Sequence, residues 1–144
     1  MFHKHSLAGR LVVSKSLGAA IGILIVLVLP LIPVETTIEF KIGFVLLVML
    51  MSTFIGLFGV FTHHPLFTNW NFTWWVRGPL VGAIFFLLLV LLAKDELGPF
   101  MSLDIVTWTG LTSPYWAILD GMLLGGLIEY ITTKLCGEGD LPVK

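Results

Sequence analysis

Polar and apolar positions do not alternate along this chain. The apolar residues gather instead into four long blocks, at 16–34, 42–61, 74–93 and 115–135. Each is close to the roughly 20 residues of helix needed to cross a hydrocarbon layer about 30 Å thick at 1.5 Å per residue. No charge falls between Ile42 and Phe61 or between Gly78 and Ala93. Backbone amides in lipid must be satisfied within their own segment, so such blocks are expected as helices. The pattern predicts an all-α polytopic membrane protein, an antiparallel bundle of four transmembrane helices forming one membrane domain over 1–144. The lipid bilayer is then its first partner.

The punctuation between the blocks agrees. Pro30 and Pro33 mark the end of the first run, Pro79 the first turns of the third, and Pro114 the entry to the fourth. A proline near a helix start loses little, because that amide has no partner in the helix. Gly137 suits a left-handed stop after the fourth run. Loops are expected over 63–73 and 94–113. Both carry apolar residues, such as Phe67 and Trp70, or Ile105 and Trp108. These are expected to lie on the membrane surface. The first apolar run follows Lys4, Arg10 and Lys15 as a signal peptide's would, but it is long and lacks a small-residue cleavage site, so a retained span is expected.

Composition removes whole classes of function. Only 12% of residues are charged and 57% are hydrophobic, with a mean hydropathy of +1.00; a soluble domain carries about 25% charge. The net charge of −1 offers no basic field for nucleic acid. One cysteine, Cys136, permits no internal disulfide. Nucleophile-elbow, zinc-protease and phosphate-loop motifs are absent from the sequence, which favours a chain without catalysis and without a cofactor or metal.

Charge does set an orientation. With a cytoplasmic N-terminus, six basic residues (Lys4, Arg10, Lys15, Arg77, Lys134 and Lys144) fall inside and two (Lys41 and Lys94) outside. Basic residues flanking spans are retained on the cytoplasmic side, so both termini are expected there, in an arrangement suited to a prokaryotic inner membrane.

Every block carries a small-xxx-small pair: Gly18/Gly22, Ser52/Gly56, Gly78/Gly82 and Gly121/Gly125. In lipid, helices associate through close van der Waals contact, and such notches permit it. They fit a tight bundle, or a bundle with one seam left for a second copy. The first and third blocks also resemble each other around Gly18 and Gly82, as a duplicated two-helix unit would.

Ionisable groups at membrane depth cost roughly 2.5–3.5 kcal/mol near a helix centre, so each requires a reason. Glu129 continues the Gly121/Gly125 line at i+4, and Arg77 lies at the same level, with His63 and His64 near the end of the second block. These four are expected to converge at the inner side. The plainer role is an Arg77–Glu129 pair with boundary histidines; the sharper one is a polar site for a proton, an anionic headgroup or a small ion. Adjacent histidines point about 100° apart on a helix and suit no single metal. Asp120 is the candidate outer intramembrane acid, half a turn out of phase with Glu129. Its plainer roles are an ion pair, with Lys41 and Lys94 as candidate partners, or a carboxylate that snorkels to the boundary, and its sharper one a step for a proton or cation. Two functions follow. One is a non-catalytic interaction or scaffold subunit that pairs with itself or with another membrane protein. The other is a transport component for a proton, small ion or solute using the intramembrane carboxylates.

Overall fold

The computed structural model describes residues 7–60 and 73–137. Among these residues all regular structure is helical. The chain forms four long helices, α1 (Leu7–Val28), α2 (Ile38–Phe58), α3 (Trp74–Met101) and α5 (Ala117–Cys136), and a short α4 (Asp104–Thr109). Three segments are long and apolar enough to cross a membrane: Leu7–Leu31, Ile38–Phe58 and Trp74–Met101. Helix α5 stands apart because its twenty residues hold Asp120, Glu129 and Lys134.

Local chemistry explains the ends. Leu29–Leu31 tightens into a 3₁₀ turn after Val28, with Pro30 inside it. The Thr37 hydroxyl accepts the Phe40 amide at 3.2 Å and caps α2, while donating to Glu96 Oε1 at 3.1 Å on α3. Pro114 opens a 3₁₀ turn leading into α5. Gly137 stops α5 at φ 76°, a conformation that glycine adopts without strain.

Two boundaries differ from the hydrophobicity pattern. Helix α1 begins at Leu7, nine residues before the first apolar block, because Arg10 and Ser14 are buried rather than solvated. Helix α3 continues through Lys94, Asp95 and Glu96 to Met101, with non-helical angles at Ala93 (φ −129°, ψ 32°) where the apolar run ends. Charges end a hydrocarbon crossing but not a helix, whose internal hydrogen bonds are indifferent to the solvent. Much of the expected 94–113 loop is therefore helical. On α4, Ile105 and Trp108 are 73% and 86% exposed.

The helices pack as two antiparallel pairs, each pinned by small residues. Between α1 and α2, Gly18 lies against Ser52 and Gly56 against Ser14, with Gly22 closing on the Val45 backbone. Between α3 and α5, Gly78 meets Gly125 and Gly82 meets Gly121; a Cβ on Gly78 would stand 2.5 Å from the Gly125 carbonyl oxygen. The Ser14–Gly56 and Gly18–Ser52 rungs of one seam, and the Gly78–Gly125 and Gly82–Gly121 rungs of the other, lie four residues apart on each helix, so about one helical turn separates them. All eight small residues singled out from the sequence serve these internal seams.

The larger core side chains come from the other helices. Met51 and Ile55 of α2, Phe86 and Val90 of α3 and Ile128 of α5 form one buried cluster. Helix α1 buries mainly Gly9, Arg10, Ser14, Gly18 and Gly22, and turns Ile23, Leu24 and Leu27 outward. Such an outward apolar face is stable in lipid and costly in water.

Candidate functional site

Three charged side chains from three helices meet where α1 and α3 begin and α5 ends. Arg10 and Glu129 are fully buried and Arg77 nearly so. Arg77 lies three residues into α3 and Arg10 three residues into α1; Glu129 lies about two turns before the end of α5. Antiparallel pairing brings those levels together.

One oxygen collects the donors. Glu129 Oε1 accepts from Arg10 Nη2 at 3.0 Å, from Arg77 Nη2 at 2.5 Å and from Arg77 Nε at 3.1 Å. The Thr133 hydroxyl adds a longer contact at 3.4 Å. Arg10 Nη1 donates to the Gly137 carbonyl, meeting an acceptor at the α5 terminus that the helix itself leaves over. A guanidinium at a helix C-terminus also complements the helix dipole. Glu129 Oε2 and Arg10 Nε have no hydrogen-bond partner among the described residues. The three formal charges sum to one positive.

Arg10 ties the first helix pair to the second, because its side chain reaches α5 from α1. Its guanidinium packs against Gly59, where a Cβ would collide with it. At the same level the Trp74 and Tyr130 rings stand 5.3 Å apart, and Lys134 Nζ sits 4.9 Å from the Tyr130 ring centre. Aromatic rings beside basic groups are the usual furniture of a headgroup boundary.

The structure joins Arg77 to Glu129 as expected from their levels. His63 and His64 lie outside the described residues. Arg10, read from the sequence as a residue of the N-terminal tail, is a member of the cluster instead. A signal for it existed: Arg10, Ser14, Gly18 and Gly22 follow one i+4 line, and extending the glycine stripe back two steps arrives at Arg10. The matching line on α5 runs Gly121, Gly125, Glu129, Thr133, Gly137. Hydropathy hid Arg10 because burial of a cation depends on a partner far along the chain.

Asp120 occupies different surroundings. It lines an open cleft of about 530 Å³ at the opposite end, bordered by α1, α2, α3 and α5, and every other lining residue is apolar. Among the described residues Asp120 forms no ion pair, so Lys41 and Lys94 are not its partners. Nine positions of helix separate it from Glu129, about 13 Å. Leu124 and Ile128 occupy the interval. The hydroxyls of α2 are spent locally: Ser52 and Thr53 both donate to the Met49 carbonyl, at 2.8 and 2.7 Å.

Comparison with protein-family models, with curated proteins and with solved structures finds no match for this chain.

Proposed function

We propose that this chain is a four-span integral membrane protein with both termini cytoplasmic, acting without catalysis as an interaction or scaffold subunit. The fourth crossing is α5, whose charges are provided for: Glu129 is neutralised inside the protein, while Asp120 and Lys134 lie near its two ends. The orientation is supported by the grouping of Arg10, Lys15, Arg77 and Lys134 at one end of the helices. Lys41 and Lys94 lie at the other, among Glu35, Glu39, Asp95 and Glu96. The crossing belongs to a bundle of four antiparallel helices.

The observation that carries the functional reading is the sharing of Glu129 Oε1 by two guanidiniums in full burial. A carboxylate held by two cations is a clamp between helices rather than a stepping stone. The hydroxyls of Ser52 and Thr53 are likewise engaged by their own helix. Because the glycine seams are filled internally, contact with a second copy or another membrane protein uses other surfaces, of which the exposed Ile105–Trp108 segment is one.

A transport role is the second reading, favoured by the unpartnered Glu129 Oε2, a buried oxygen able to take a proton. Flux of protons and monovalent cations into liposomes separates the two. Absence of flux, with the protein recovered as a defined oligomer or in complex with another membrane protein, supports the interaction subunit. Flux abolished by Glu129→Gln or Asp120→Asn establishes transport in its place. A reporter active only outside the cytoplasm, fused after Val143, should stay silent; a strong signal refutes the orientation.

A further inference from the structure

An open cleft lined by residues of α1, α2, α3 and α5 combines aromatic rings with a single, exposed carboxylate. Its volume, about 530 Å³, falls within the roughly 300–1,000 Å³ typical of small-molecule sites. The helix pairs are tied together by Arg10 at the far end, and the cleft lies where that tie is absent. Phe40, Phe44, Phe86 and Phe100 form a connected wall, with ring centres 6.1–6.3 Å apart from Phe40 to Phe44, Phe40 to Phe100 and Phe44 to Phe86. The faces of such rings carry partial negative charge and attract cations. Asp120 is the lone ionisable lining residue and pairs with no cation among the described residues. It sits three residues into α5, about 4.5 Å below the helix start, with Leu127 a further two turns down.

We propose that this cleft is a binding site for a lipophilic monocation, a molecule with one delocalised or quaternary positive charge on a bulky apolar body. The charge rests against Asp120 and the phenyl wall, near the membrane boundary, and the apolar body lies along the leucines of the open cleft. An anion of the same shape is rejected by the carboxylate. A neutral one forfeits the pairing with Asp120. The proposal concerns a ligand and a place separate from the Arg10–Arg77–Glu129 cluster, and it stands apart from the interaction reading.

Tetraphenylphosphonium and tetraphenylborate supply nearly the same shape with opposite charge. Each is titrated by calorimetry into the full chain held in phosphatidylcholine nanodiscs, with empty nanodiscs subtracted. Tetraphenylphosphonium is expected to bind at one saturable site per chain, and tetraphenylborate to show none. Asp120→Asn should weaken the cation at least tenfold, and Leu127→Trp, which fills the cleft from an exposed position, should do the same. Protection of the Cys136 thiol from labelling verifies that each variant is folded. Absence of saturable cation binding in the unaltered chain overturns the proposal, as does equal affinity for the borate. Full affinity in folded Asp120→Asn overturns it too, leaving a cleft occupied by bilayer lipid.

Discussion

Replacing Glu129 by glutamine keeps the shape of the side chain and removes the charge on which two guanidiniums converge. The amide would still offer a carbonyl oxygen, but only a neutral one. Both attractions, at 3.0 and 2.5 Å, are lost together, and the two arginines then repel one another in a buried site. Breaking a buried pair by removing one partner costs about 3–5 kcal/mol, because the remaining charge is stranded. The chain carries its own reporter. Cys136 is its one cysteine and is buried in the last turn of α5, close to the Gly137 carbonyl that Arg10 holds. In detergent micelles, the rate at which a thiol-reactive dye labels Cys136 measures how often that end of the protein opens. Each 1.4 kcal/mol is a factor of ten, so Glu129→Gln should accelerate labelling by roughly 10² to a few times 10³. Thr133→Ala is the internal control. Its hydroxyl contributes only a 3.4 Å contact to Glu129 and a 3.5 Å contact to Arg10, and its loss should cost below about 1 kcal/mol. Replacing all three charged residues together, Arg10→Met, Arg77→Met and Glu129→Leu, should restore much of the protection, since an apolar filling strands no charge. Labelling of Glu129→Gln within threefold of the unaltered chain would refute the clamp.

Two further outcomes follow from the packing and the donor geometry. Gly82→Ala puts a methyl group into the Gly121 backbone carbonyl, which cannot rotate away, and should cost about 1–3 kcal/mol in a denaturation series; Gly43→Ala meets nothing within 4 Å and should gain about 0.5–1 kcal/mol from helix propensity. Arg77→Lys keeps the charge but offers a single ammonium where two guanidinium N–H groups reach Oε1, so the same labelling assay should read a loss of about 1.5–3 kcal/mol; labelling unchanged from the arginine form would show that charge alone, and not the forked geometry, holds Glu129.

Much of the molecule is legible in the amino-acid sequence. The all-helical character and three of the membrane-length segments follow from block length and apolar content, properties that belong to each segment alone. The glycine lines were also visible, since i+4 spacing is a property of one helix. Even the level of Arg77 and Glu129 could be counted from the helix ends. Nine positions apart, Asp120 and Glu129 are half a turn out of phase on one helix, which is also a property of the sequence alone.

Partnership was a different matter. The i+4 stripe puts Arg10 on the glycine face of its helix, but whether the cation is buried there is decided by Glu129, 119 positions away. For the same reason the start of α1 at Leu7 was not visible to hydropathy, which treats every charge as exposed. Which seams close internally is decided by which helices are neighbours, and a glycine stripe fits any close partner equally well. The cleft beside Asp120 is a space between helices, so no residue encodes it singly. Sequence therefore determined the solvent and the rods, because lipid acts on each segment separately. Tertiary structure decided the ion cluster, the seams and the cleft, because each arises only where distant segments meet.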